Sequence, residues 1–369
     1  MEVPSLYKHV VRPVLFLGDP EKTHETILAL LSKIERFEGL LERWFGVRDR
    51  RLEVRLGPLT FPNPIGLAGG FDKNAVAVRT IAGFGFGFIE IGAVTALAQP
   101  GNPKPRLYRL PEDEALINRL GFNNDGAAVI ARRLAALRGN GAPLRIPLGV
   151  NIGRSKVVET RDAVADFLSA FEQLYPYGDF FTLNVSSPNT PKLRDLQEKR
   201  LLRALLRAVQ EKNLELASRT GGPTRPVLVK IAPDMEFSQA DDIVEVALEE
   251  KIGGIVATNA TAFLRESLVS RCREPGGLSG RPLRALSTSF VRHLYSRVGG
   301  RLPIIGVGGV FTAADAYEKI KAGASAVQIY TGFVYEGPAA VKRINLGLLR
   351  LLERDGLGSI ADAVGMEAR

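Results

Sequence analysis

The chain has one cysteine, Cys272, and three scattered histidines, His9, His24 and His293, among 369 residues. An internal disulfide needs two cysteines, and metal centres are built from clustered His, Cys and carboxylates. Neither is expected here. Long apolar runs are equally scarce. Ile81 to Ala98 is the longest, yet it contains Glu90 and four glycines. It therefore reads as a helix end, a turn and a strand, and not as a membrane span. The start of the chain lacks an unbroken apolar segment, and Glu2, Asp19, Glu21 and Glu25 come early, which argues against a signal or transit peptide. No block of like charge or Arg–aromatic array occurs, so nucleic acid is not an expected partner. The net charge of +9 favours anionic ligands or an acidic membrane surface.

What is present divides near residue 46. In residues 1–46, Leu6, Val10, Val14 and Leu17 recur at helical spacing, and Gly18 ends that segment. Asp19-Pro20-Glu21 then opens a second helix with a capping acid, a proline at its first position and an early charge for the dipole. Its apolar stripe is Ile27, Leu30, Leu31, Ile34, Phe37 and Leu41, running into Trp44 and Phe45. Two such helices make a hairpin too small for its own core. The stripe either packs on the main domain or dips into a bilayer. Ten Lys and Arg against nine Asp and Glu over residues 1–55 give no simple electrostatic anchor.

Residues 47–369 alternate short apolar runs with amphipathic helical stretches. The eight runs are Ile65–Ala68, Phe88–Ile91, Leu148–Asn151, Phe180–Asn184, Val227–Ile231, Gly254–Thr258, Ile304–Val307 and Ala326–Ile329. Eight βα units predict an α/β fold, a (β/α)8 TIM barrel behind a small two-helix extension. A doubly wound sheet fits less well, because no Gly-x-Gly-x-x-Gly follows the first run. Gln99–Leu120 reads as irregular and is expected to cover one end of the barrel.

Chemistry in such barrels sits where strands run into the following loops. Those ends are polar or glycine-rich: Ala68-Gly69-Gly70-Phe71-Asp72-Lys73, Asn151, Asn184, Lys230, Thr258-Asn259, Gly308-Gly309 and Tyr330-Thr331-Gly332. Leu183–Pro191 brings carboxamides and hydroxyls out of one strand end, with no charge among them, a set suited to a planar polar ligand. A turn is the bland alternative. Glycines 308, 309 and 332 free backbone N–H groups for a phosphate, and Gly276–Gly280 reads as another donor-rich loop. No histidine or acid pair stands at a strand end. Lys230 could form a Schiff base, as in a lyase, or hold its charge against an electron-rich ring.

Asn118-Arg119-Leu120-Gly121-Phe122-Asn123, Leu183–Pro191, Val229–Asp234, Gly276–Leu283 and Ile305–Gly309 together resemble dihydroorotate dehydrogenase, over nearly the whole chain. Serine at 187 and the N-terminal helices resemble the quinone-dependent, membrane-associated class 2. The resemblance implies oxidation of dihydroorotate to orotate in pyrimidine biosynthesis, with FMN as cofactor and a respiratory quinone as acceptor. It makes Ser187 the base. It implies substrate contacts from Lys73, Asn118, Arg119, Leu120, Gly121, Phe122, Asn184, Asn189 and Asn259. FMN contacts are implied for Ala68, Gly69, Gly70, Phe71, Asp72, Ala93, Asn151, Asn184, Lys230, Thr258, Gly280, Gly309, Tyr330 and Thr331. Arg109 and His24 are expected near the quinone, between the N-terminal helices and the barrel. The expected location is peripheral, on the cytoplasmic face of a bacterial cell membrane, or on the mitochondrial inner membrane for a trimmed eukaryotic chain. Ala93, Ala260 and Thr331 depart from the family pattern, the first two by losing a hydroxyl. Two other readings remain: a Schiff-base lyase centred on Lys230, and a non-catalytic peripheral membrane protein that binds a phosphate ligand.

Overall fold

The computed structural model describes residues 6–139, 143–266 and 268–368; the first five residues of the expected extension lie outside them. Eight parallel strands close into a barrel: β1 (Ile65–Leu67), β2 (Phe88–Val94), β3 (Leu148–Ile152), β4 (Phe180–Asn184), β5 (Val227–Ile231), β6 (Gly254–Ala257), β7 (Ile304–Val307) and β8 (Ala326–Ile329). The seam pairs β8 with β1, with Val327 opposite Ile65. Runs such as Val227-Leu228-Val229-Lys230-Ile231 are buried throughout, because the barrel interior covers one face and helices cover the other. Each expected apolar run corresponds to one barrel strand.

The N-terminal end of the barrel is closed by a hairpin, Val54–Leu56 with Leu59–Phe61. Phe61 stacks on Phe88 with ring centroids 4.2 Å apart and lies 6.1 Å from Phe180. Glycines on the strands make room for these rings. A Cβ at Gly66 would meet the Phe88 ring at 2.3 Å, and one at Gly149 the Phe180 ring at 2.1 Å.

Three sequence expectations are corrected. The stretch from Pro20 is not one helix: Pro20–Ser32 and Glu38–Phe45 are separated by a 3-10 turn, Glu35–Phe37. The bend lets Leu28 and Phe45 both reach the core. Gln99–Leu120 is not irregular, since Leu107–Leu110 pairs with Ala115–Asn118. Nor is Gly276–Gly280 a loop. Gly277–Gly280 is a third strand beside Ala115–Asn118, with Gly277 opposite Asn118. The glycines that suggest flexibility serve close approach: a Cβ at Gly276 would lie 2.3 Å from the Asn118 carbonyl. This small antiparallel sheet covers the C-terminal mouth.

The helices before residue 46 are held to the barrel by polar bonds. Tyr7 Oη donates to the Val334 carbonyl (2.7 Å), Thr80 Oγ1 to that of Leu31 (2.7 Å) and Lys342 Nζ to that of Trp44 (2.6 Å). Buried Glu21 accepts from Arg106 Nη2 at 2.7 Å. No helix among the described residues is long and apolar enough to cross a membrane.

Candidate active site

At the C-terminal mouth, a cleft open to solvent is lined by the strand ends. On one side stand Lys73, Asn118, Asn184, Ser187, Asn189 and Asn259. Their loops are tied together. Asn189 Nδ2 donates to the Asn118 carbonyl (3.1 Å), and Asn259 Nδ2 to Ser186 Oγ (3.0 Å). Behind them Arg194 joins the Ser186 carbonyl (3.2 Å) to Asp234 (2.8 Å), and Asp234 accepts from Ala262 N (2.8 Å) and from Thr261 Oγ1. Pro188 and Pro191 end strand pairing, so the segment after β4 turns its side chains into the cavity. Ser187 Oγ accepts the Asn189 N–H at 3.3 Å, which leaves its hydroxyl hydrogen free to face the cleft.

The opposite side is a cradle of small residues. Gly69, Gly70, Gly280, Gly308, Gly309 and Gly332 line it with Tyr330 and Thr331. Gly308 and Gly309 have φ of 127° and 70°, a region open to glycine. Their loop runs into helix Ala313–Lys321, which Thr312 and Asp315 cap reciprocally. Ser279 Oγ lies 2.9 Å from Thr331 Oγ1.

The floor is polar. Glu90 on β2 is fully buried and accepts from Asn151 Nδ2 (2.6 Å), Thr182 Oγ1 (3.0 Å) and Gln328 Nε2 (2.9 Å). Burial pushes the Lys230 ammonium below its ordinary pKa, and the Glu90 charge opposes that shift. Lys73 is lowered to about 8, again chiefly by burial, with Glu21 and Asp72 pulling it back up. Two buried oxygens facing this region, Thr258 Oγ1 and Gln328 Oε1, have no protein partner, and both residues line the cleft. Unpaired buried acceptors and donors call for a polar ligand.

Not every expected residue reaches the cleft. Arg119 turns outward, with Nη1 donating to Glu274 (2.9 Å) and its guanidinium stacked on Tyr108 at 5.0 Å. Asp72 caps the following turn by accepting from Val76 N and Ala77 N, each at 2.9 Å. Phe71 packs behind the wall, and Asn151 lies one layer below the surface, against Glu90. Leu120, Gly121, Phe122, Ala68 and Ala93 do line the cleft, as does Ala260. Arg109 lies under the N-terminal helices, and His24 belongs to one of them, Pro20–Ser32. Arg109 donates to the Gly18 carbonyl (2.8 Å) and stacks on Phe16. His24 Nε2 donates to the Phe71 carbonyl (2.7 Å), and burial lowers its pKa to about 4, so it is neutral. Sequence reasoning missed Glu90, Gln328, Ser279, Leu283 and Val310. Glu90 had a usable signal, an acid inside a wholly apolar strand. Among the described residues no cluster of three or more His, Cys, Asp or Glu could hold a metal.

The dihydroorotate dehydrogenase family profile matches residues 51–352. The chain belongs to that family. It is 49% identical over 363 residues to a protein of Gloeobacter violaceus named dihydroorotate dehydrogenase (quinone), covering 98% of this chain and 99% of that one. A protein of the same name from Chloroflexus aurantiacus is 48% identical over 354 residues, covering 93% and 96%. Among solved structures, DHODH from Eimeria tenella in complex with ferulenol superposes with a TM-score of 0.88 at 38% identity, covering 95% of this chain and 96% of that one. Neither the lyase reading nor the non-catalytic one finds support among these dehydrogenases.

Proposed function

We infer that this chain oxidises dihydroorotate to orotate, a step of pyrimidine biosynthesis, and delivers the electrons to a quinone, with FMN as its flavin. One observation carries the reading: the asparagines and Ser187 share a single cleft with Lys230 and the glycine cradle, on a chain of this family. Gly308, Gly309, Gly332 and Thr331 fit the phosphate. Lys230, Thr258 and the unpaired Gln328 Oε1 fit the polar edge of the heterocycle. When bound, the flavin supplies a two-electron acceptor beside the substrate. The losses at Ala93 and Ala260 bear on affinity, each missing hydroxyl being worth about 0.5–1.5 kcal/mol where it would have bonded.

Asn118, Asn184, Asn189 and Asn259 orient the pyrimidine, and Lys73 holds its carboxylate. Ser187 takes the proton from C5. A serine hydroxyl is a weak base, so it must pass its own proton on to a water or a neighbouring polar group as it accepts one. Lys230 keeps positive charge where negative charge gathers.

The N-terminal helices form the membrane-facing part, on the cytoplasmic face. Among the described residues, nine of the seventeen exposed large apolar side chains lie between Leu6 and Trp44, with Leu17 87% and Trp44 60% exposed, a concentration suited to the bilayer interface. The quinone reaches the flavin between these helices and the barrel, past Arg109 and His24. Phe71, 4.8 Å from His24 and 5.6 Å from Tyr330, joins that passage to the cleft.

Anaerobic addition of dihydroorotate to the purified protein should bleach its flavin, and a short-chain quinone should restore the colour. Ser187→Ala should keep its FMN and reduce it about 10²–10⁴-fold more slowly. Reduction at the wild-type rate would refute the assigned base.

A further inference from the structure

We propose that Glu90, buried at the centre of the barrel and used in no step above, sets the hydrogen-bond polarity of the asparagine row and thereby decides which groups of the site donate and which accept. The proposal rests on reading that row as the substrate site.

An ionised carboxylate can only accept hydrogen bonds. Three donors, from Asn151, Thr182 and Gln328, surround Glu90, with the positive charge of Lys230 acting on it. Asn151 must therefore present Nδ2 to Glu90, which turns Asn151 Oδ1 towards Asn184. Asn184 must in turn present Nδ2, 3.0 Å from Asn151 Oδ1, which turns its own Oδ1 outward. That oxygen accepts from Asn259 Nδ2 at 3.2 Å, and Asn259 Oδ1 takes the Ala260 N–H at 2.8 Å. Three amides point the same way, with Glu90 accepting at one end of the row and the Ala260 N–H donating at the other.

A primary amide can be turned by 180° without changing its shape. With a terminus able both to donate and to accept, the row would be held from its far end alone, by the Ala260 N–H. The same reasoning runs along a second arm. Gln328 commits Nε2 to Glu90, so its unpaired Oε1 is left as an acceptor. Gly69 preserves the arrangement, since a Cβ there would lie 2.5 Å from Glu90 Oε1 and 3.1 Å from Asn151 Nδ2.

The discriminating variant is Glu90→Gln, which keeps the size and adds a donor. We expect thermal stability to stay near the wild-type level while the Kd for orotate, read from the absorbance of the FMN-loaded fraction, rises about tenfold. KM for dihydroorotate should rise more than kcat falls, whereas a merely structural role would lower thermal stability instead. Thr182→Val removes a donor but keeps the carboxylate, and should leave the orotate Kd within about twofold of wild type. Orotate binding by Glu90→Gln at wild-type affinity would overturn the proposal. Should that variant fail to fold, Asn151→Ser cuts the row one link later and leaves Glu90 facing Lys230; wild-type orotate affinity there overturns it equally. Asn259→Ala separates the two levels. If it too binds orotate as wild type does, the substrate reading itself falls; if it binds weakly while Glu90→Gln binds tightly, only the role of Glu90 falls.

Discussion

Lys73 carries its charge in a pocket that works against it, at a pKa lowered to about 8 by burial. An anionic ligand binds best to the protonated form, so orotate affinity should be flat below pH 8 and fall as pH rises through it. Titrations at pH 6.5, 7.5 and 9 check this, and Lys73→Gln should bind weakly with no such dependence. A second lysine acts on stability. Lys319 is fully buried, donating to Ser287 Oγ (3.1 Å) and Thr288 Oγ1 (2.9 Å) with no carboxylate among its hydrogen-bond partners, and burial lowers its pKa to about 7. Between about pH 7 and the ordinary lysine value the unfolded chain binds the extra proton, so stability must rise with pH across that window. Lys319→Met should reduce the gain in Tm from pH 7 to pH 9. At this scale the sequence was informative about Ser187, the asparagines and Lys230, because strand-end polarity marks them. It put Arg119 at the substrate, because the outward turn of that side chain depends on Glu274, a partner 155 residues away.

Elements were easier to read than the breaks between them. Barrel strands stand out as short apolar runs because both of their faces are buried, and the caps of their helices are local. The N-terminal stripe misled because its periodicity continues across a bend. In one continuous helix Leu28 and Phe45 would point about 100° apart, and only the turn at Glu35–Phe37 lets both be buried. The strand Gly277–Gly280 was hidden for another reason: its pairing partner lies far back in the chain, and its glycines answer to the backbone opposite. Barrel glycines also have strict roles. Gly149→Ala would push a methyl into the Phe180 ring, 2.1 Å away, and should cost about 1–3 kcal/mol in urea unfolding.

For the molecule as a whole, the exposed apolar side chains of the first helices are the largest departure from an ordinary soluble surface. Val14→Glu with Leu17→Glu should reduce sedimentation with phospholipid vesicles severalfold. Dihydroorotate oxidation with a water-soluble quinone should stay within about twofold, since neither side chain lines the cleft. Retained sedimentation would place the membrane contact elsewhere.

The seam between β8 and β1 has a consequence for biogenesis. Residues 65–67 find their second neighbour only in residues 326–329, and the glycine cradle at 308–309 and 332 lies in the same late part of the chain. A nascent chain therefore has no enclosed flavin site until about residue 332 has left the ribosome, and any chain released before that point is committed to remain colourless.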